Sequence, residues 1–457
     1  MMDNYELQPT EENLLRTLEE NTIDRNQDIL YFYDILKAQT TASAIAVDGR
    51  WGSGKTFFIK QTQLLINALN SSSNMAAEVK EKITLSIGVS QDKDEEAENN
   101  SIAVYYDAWE NDNDIDPVLS IFYEIAKQCS IDFSLKKKFD FKLLTSIFEA
   151  ITGRNLNGVI DALKSNNPVT EFKTRKEIEK ELEGFFGKIL PERGNRLIIF
   201  VDELDRCSPK FAISLLERIK HYIQDERITF VFSVNLEQLQ HTVQHYYGNN
   251  FDACRYLDRF FNLRVTLPEV DMDKIYSQIG LDSSLWADIF SRQIIKMFNF
   301  GLREIAKFYA QVKAAIYAPT HNRNKYNFTF SDGAGREFVL TAIVPLLIGL
   351  KIADTSLYND FIYGKNVEPL KGLFEVERSN AILKRFLSEK ESFEMVEGKS
   401  LVTRDEIIER LYNAIFVEQY SGRKYETILG ECEFSRETKE IALRAASMMN
   451  SCYRTLN

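Results

Sequence analysis

Residues Gly49-Arg50-Trp51-Gly52-Ser53-Gly54-Lys55-Thr56 satisfy the pattern G-x-x-x-x-G-K-[ST], whose residue types suit the binding of a nucleotide's phosphates. Three glycines let the backbone curl until successive N–H groups face phosphate oxygens, and a helix beginning there adds its positive end. Lys55 supplies a cation for the β and γ phosphates, and Thr56 a hydroxyl for Mg²⁺. The expected nucleotide contacts are therefore Gly49, Trp51, Gly52, Ser53, Gly54, Lys55, Thr56 and Phe57. A glycine-rich turn without a ligand would leave Lys55 and Thr56 unexplained.

A second segment, Ile198-Ile199-Phe200-Val201-Asp202-Glu203, ends an apolar run with two adjacent acids. Asp202 is placed to complete a magnesium shell. Glu203, next to it, can orient and deprotonate a water in line with the γ phosphate, which points to hydrolysis instead of transfer to a second substrate. The alternative, that both acids only cap the next helix, loses force once the phosphate loop is present. Guanine-specific proteins of this kind use Asn-Lys-x-Asp after a late strand. The nearest string here, Asn324-Lys325-Tyr326-Asn327, falls outside the strand-rich region, so the expected nucleotide is ATP.

These residues need a sheet to bring them together. Residues 43–48 read as a short strand, followed by the loop and by Phe57, Phe58, Leu64, Leu65 and Leu69 at helical spacing. A crowded apolar stripe predicts a helix over 24–37. Residues 83–89 and 102–106 read as strands, with the acidic run 91–100 as a solvated loop between them. Helices are expected over 116–128, with Pro117 in the first turn, over 171–190 and over 213–223. Continuous apolar runs at 197–201, 228–234 and 263–267 read as strands buried on both faces, the last closed by Pro268. This alternation predicts an α/β fold: a doubly wound, mostly parallel sheet flanked by helices over residues 1–270, with an insertion around 131–170 of no assignable role. Residues 271–457 read as a mainly α-helical domain.

Composition sets the outer limits. A chain of 457 residues, 44% hydrophobic, can bury large cores, and its length suits two of them. A net charge of −12 argues against a broadly basic surface, although a local basic patch keeps nucleic acid among the candidate partners. Five cysteines without paired spacing read as reduced thiols of a cytoplasmic protein, and four histidines make a zinc site a poor expectation. No secretory signal is visible at the start. The longest apolar stretch, 338–350, contains Pro345 and is too short to span a bilayer, so it reads as a buried helix with no membrane role.

Further segments resemble the KAP family of P-loop NTPases over about residues 24–309. Val201-Asp202-Glu203-Leu204-Asp205-Arg206-Cys207 is similar to that family's extended acidic motif. Tyr106-Asp107-Ala108-Trp109-Glu110, with Asp116-Pro117, resembles its aromatic segment. Tyr256-Leu257-Asp258-Arg259-Phe260-Phe261 before Leu267-Pro268, and Leu302-Arg303-Glu304-Ile305, resemble its later landmarks. The resemblance implies the additional-strand class of P-loop folds, with a helical region that reads the nucleotide state. It also implies, by association only, a role in phage or plasmid exclusion alongside other proteins of a defence or signalling complex.

The chain departs from that family twice. Residues 139–167 are too polar for the membrane helices many members carry between the two nucleotide motifs, so this chain reads as a soluble, bacterial-type member. The strand ending at Val234 is followed by Asn235 where the family has an acid; an amide can still sense a γ phosphate or position water.

Three further residues carry expectations. Arg259, on a helix expected just before the strand 263–267, is a candidate arginine finger acting on a neighbouring chain of a homo-oligomer, with Arg255 as the alternative. In the plainer reading both arginines pair with Asp252 and Asp258 on the surface. Trp51 and Trp109 are expected to pack in the interior. The competing functions are a hydrolysing ATPase that drives conformational change, and a slow nucleotide-dependent switch or scaffold; a nuclease finds no compact acidic cluster in residues 271–457.

Overall fold

The computed structural model describes residues 8–89, 100–113, 117–129, 186, 190, 194–222, 225–281, 284–321, 333–376, 379–420 and 426–447. The insertion around 131–170 and nearly all of the helix expected over 171–190 lie outside the described residues. The described residues belong to two compact units, Gln8–Asp271 and Met272–Asn457.

In the first unit, helices α1 (Glu11–Glu19) and α2 (Asn26–Lys37) precede strand β1 (Ser43–Asp48). After the glycine-rich turn come α3 (Lys55–Leu69), α4 (Ala77–Ile87), β2 (Ser101–Asp107) and α5 (Pro117–Gln128). The remainder runs β3 (Arg196–Asp202), α6 (Pro209–Tyr222), β4 (Ile228–Val234), α7 (Leu236–Tyr247), α8 (Ala253–Leu257) and β5 (Leu263–Thr266). The five strands form one sheet in the order β2-β3-β4-β1-β5, and every pairing is parallel. β4 therefore separates the strand leading into the phosphate loop from the strand that ends in the two acids.

Parallel strands covered by helices on both faces lose their polar alternation, and β4 is buried at every position. Two apolar clusters flank the sheet. Ile199, Val201, Phe230 and Phe232 pack against α5, α6 and α7, while Ile45, Val47, Phe200 and Val231 pack against α2, α3 and α4.

One expected strand is a helix. Residues 83–89 fall mostly within α4, where Ile83, Thr84 and Ile87 are buried, Leu85 is 72% exposed, and Gly88 in the left-handed region ends the helix.

The second unit is mainly helical. Its helices include Met272–Ile279, Trp286–Phe298, Leu302–His321 and Val344–Ala353. The apolar stretch around Pro345 is a buried helical segment entered through the π-turn Val339–Ile343. Two small two-stranded sheets, Glu391–Ser392 with Ser400–Leu401 and Glu426–Leu429 with Cys432–Ser435, were not expected. Among the described residues no helix is long and apolar enough to cross a membrane.

Candidate functional site

Parallel strands end together, so the tips of β1, β2, β3 and β4 bring sequence-distant residues to one edge of the sheet. Register places Asp107 beside Asp202, and Asp202 beside Ser233. The phosphate loop leaves β1 at this edge, where Gly49 N–H donates to Val234 O (3.2 Å). Gly52 and Gly54 have φ of 76° and 86°, values that strain any residue with a Cβ. A Cβ on Gly49 would lie 2.9 Å from Ser53 Oγ and 3.3 Å from Lys55 Cγ, so a larger residue there would have to push those side chains aside.

The loop fits a polyphosphate. Lys55 is only 9% exposed, and its ammonium donates to the loop carbonyls of Gly49 (2.5 Å) and Arg50 (3.0 Å). Burial lowers its pKa, opposed by Asp205, Asp202, Glu203 and Asp48. Ser53 Oγ is buried without a hydrogen-bond partner among the described residues, a cost that an anion in the loop would remove. The first-turn N–H groups of α3, those of Lys55, Thr56 and Phe57, have no intrahelical acceptor and carry the helix's positive end.

Next to the loop, Asp202 is 1% exposed. Its Oδ2 accepts from Thr56 Oγ1 (2.8 Å) and Tyr105 Oη (3.1 Å), and its Oδ1 from Glu203 N–H (3.0 Å). Burial raises its pKa against those hydrogen bonds. One carboxylate and one hydroxyl, both oxygen donors, are the ligand types a hard cation such as Mg²⁺ would take. Among the described residues no group of three or more His, Cys, Asp or Glu is arranged to hold a metal by itself.

Glu203 does not cap the turn that follows it. It sits at φ 59°, a left-handed conformation costing a non-glycine residue roughly 1–3 kcal/mol, and its carboxylate pairs with Arg206 of the short 3₁₀ turn Leu204–Arg206. Burial pushes its pKa up to about 7; Asp202 adds to the rise and Arg206 opposes it. A strained backbone and a raised pKa immediately beside Asp202 make Glu203 a candidate for chemistry.

Asn235 follows β4 and is the N-cap of α7, its Oδ1 accepting from Glu237 N–H (3.1 Å) and Gln238 N–H (3.3 Å). The cap engages the acceptor end of the amide and leaves its NH₂ as the end able to meet a phosphate.

Arg259 is not part of this assembly within one chain. It lies beyond the end of α8, in the turn before β5, so the expected helix stops short of it. Together with Ser43, Phe230 and Phe260 it lines a cavity of about 270 Å³ at the amino ends of β1 and β4. The phosphate loop is at the opposite end of β1, roughly 20 Å away at the rise of an extended chain. The expected surface pairing is half corrected: Arg255 meets Asp252 at 3.9 Å, but Asp258 pairs with Arg264.

The tryptophans are not interior. Trp51 is 49% and Trp109 56% exposed, and both rings face Arg206, whose guanidinium carbon lies 6.0 Å and 5.7 Å from their centres. Trp51 Nε1–H also donates to Asp205 Oδ2 (2.6 Å). An exposed indole contributes little burial, so Trp109→Ala should shift Tm by less than about 2 °C in a thermal melt. A fall several times larger would restore the packing role.

Sequence reasoning missed two supports of the site. Tyr105, on the strand beside β3, bonds Asp202 directly, and only strand adjacency reveals it. Arg25, 4% exposed, donates from Nη1 to Ser53 O (2.9 Å) and from Nη2 to Pro268 O (2.6 Å), tying the phosphate loop to the segment after β5. Burial lowers its pKa to about 10. A charged residue opening an apolar helix was its only signal.

Residues 25–296 match the KAP family P-loop domain, more than half of the chain. The chain belongs to the KAP family of P-loop domains. A comparison with curated protein sequences gives no match. For a KAP P-loop domain the sheet order and the loop are those of a nucleoside triphosphate-binding fold, so nucleotide binding follows at the level of the family.

Proposed function

We propose that this KAP protein is a Mg²⁺-dependent ATPase whose turnover drives conformational change in its helical domain and in partner proteins. The observation that carries the reading is the part-buried Thr56–Asp202 hydrogen bond, which joins phosphate loop and acidic strand immediately beside Glu203. When bound, Mg²⁺ supplies charge neutralisation to the β and γ phosphates. Thr56 and Asp202 would hold it, and Lys55 would leave the loop carbonyls to meet the phosphates. Glu203 takes the proton of the attacking water, while the Asn235 amide orients that water or senses the γ phosphate. Arg259 acts on the nucleotide of a neighbouring copy. Family association supports work in phage or plasmid exclusion, among proteins of a defence or signalling complex in the cytoplasm.

A second reading, a slow switch that binds ATP and releases a partner when the nucleotide changes, is favoured by one observation: Arg206 engages one oxygen of the Glu203 carboxylate and so lowers its readiness to take a proton. Steady-state ATP turnover by the purified chain, with and without Mg²⁺, separates the two. Lys55→Ala tests the site common to both. Losing the only cation among the loop's phosphate contacts should weaken Mg²⁺-ATP binding at least ~100-fold, on the order of two charge-assisted hydrogen bonds, as read by calorimetry. Native affinity in that variant would remove the phosphate loop from the site.

A further inference from the structure

Arg206 extends from the turn after β3 and touches three things at once. Its guanidinium pairs with Glu203, and the guanidinium carbon lies 6.0 Å and 5.7 Å from the ring centres of Trp51 and Trp109. The Glu203 and Arg206 side chains are 18% and 25% exposed, so this is a sheltered pair and not a solvated surface contact. Trp51 belongs to the phosphate loop, and its indole N–H is bonded to Asp205, the residue beside Arg206. Trp109 stands in the turn after β2, a turn fixed by Asp107 Oδ1 accepting from the N–H groups of Trp109 and Glu110 at 3.0 Å each. Two large indoles, about half exposed, thus both lie within cation–π reach of the cation that holds the candidate base.

We propose that Arg206 is a positioning residue, held by cation–π contacts with Trp51 and Trp109, that parks Glu203 in the resting chain and releases it when the phosphate loop closes on a nucleotide. The proposal rests on the ATPase reading for the role of Glu203, but the coupling it describes is a property of the resting chain. The contact engages one carboxylate oxygen, Glu203 Oε2, and fixes the orientation of the group against Arg206. Freeing it requires Arg206 to move, and Arg206 is held by a ring on the very loop that binds phosphate. Movement of Trp51 also pulls on Asp205, so the loop reaches the acidic turn by two routes, one cation–π and one hydrogen-bonded. The exposure of the rings is explained by the same device: they serve a contact that must open and close, which a buried residue cannot do cheaply.

The test uses the full chain, Mg²⁺ and a non-hydrolysable ATP analogue, reading tryptophan emission and, separately, analogue binding by calorimetry. In the native chain the analogue should change the emission, and Trp109→Phe should remove most of that change. Arg206→Gln should bind the analogue within about threefold of native affinity, yet show a resting emission already close to the bound state and less than a fifth of the native response. Arg206→Lys, which keeps the charge but not the planar fork, should restore at least half of the response. If Arg206→Gln fails to fold, Trp51→Phe carries the test: it keeps a ring over Arg206 but cannot donate to Asp205, and the response left at Trp109 should fall by at least half. A native chain whose emission ignores the analogue, or an Arg206→Gln chain that keeps the full native response, overturns the clamp. Failure of the ATPase reading looks different: the native chain would bind the analogue and shift its emission, yet hydrolyse no ATP.

Discussion

Glu203→Gln is expected to bind Mg²⁺-ATP and hold it, with turnover lowered about 10²–10⁴-fold, the range a positioned general base contributes. Glutamine keeps the shape of the side chain and its capacity to hydrogen bond, so what is lost is the ability to accept a proton. Folding should not suffer. Burial already raises the carboxyl's pKa to about 7, which means that its charged form is disfavoured where it sits, and a neutral amide avoids that cost. Loss of the ion pair with Arg206 works in the opposite direction, and the two effects offset each other in part. Single-turnover hydrolysis and retention of radiolabelled ATP on a filter measure the two halves of the expectation. Unchanged turnover would deprive Glu203 of its role and leave the slow-switch reading standing.

Where the sequence was legible, the reason was local. The phosphate loop and the two acids are each contiguous strings, and their strands are unbroken apolar runs because a parallel sheet is buried on both faces. The misread segment shows the limit of periodicity. Ile83, Leu85, Ile87 and Val89 alternate as a strand does, yet Ile83 and Ile87 are also four apart and share a helix face. Only the exposure of Leu85, which no spacing reveals, separates the two. Similar ambiguity hid the small sheets of the second unit, whose strands of two to four residues are shorter than any pattern can establish.

The supports of the site were not legible because they depend on neighbours in space. Tyr105 matters because β2 lies beside β3, and Arg25 because the chain returns to it at Pro268. Trp51 and Trp109 were assigned to the interior on residue type, since large aromatics dominate cores. Here their type serves another end: a flat π face that a guanidinium can rest on and leave. Arg206 was read only as part of an acidic motif, and its contacts with both rings came from the fold.

Arg259→Lys is expected to leave ATP binding intact and to slow hydrolysis at least ~10³-fold, the lower end of what an arginine finger supplies. Negative charge spreads over the γ phosphoryl group in the transition state, and Lys55 with Mg²⁺ leaves part of it uncompensated. A guanidinium answers this with a planar fork that matches phosphate oxygens, and an ammonium does not, so the conservative change is the informative one. The position of Arg259 decides how it could act. It lies at the amino ends of the strands, roughly 20 Å from its own phosphate loop, so any finger role must be played on another copy. Its side chain is exposed and forms no ion pair among the described residues, whereas Arg255 meets Asp252 and Arg264 meets Asp258. Its backbone is anchored: Lys220 Nζ donates to Arg259 O at 2.6 Å. A finger in trans makes the active unit an assembly, so specific activity should rise with protein concentration and level off once assembly is complete. Mixing the two single variants sharpens the test. Arg259→Lys keeps a sound nucleotide site and Glu203→Gln keeps a sound finger, so a mixture should recover activity that neither variant has alone. Flat specific activity on dilution, full turnover by Arg259→Lys, and no recovery on mixing would together remove both the finger and the homo-oligomer it requires.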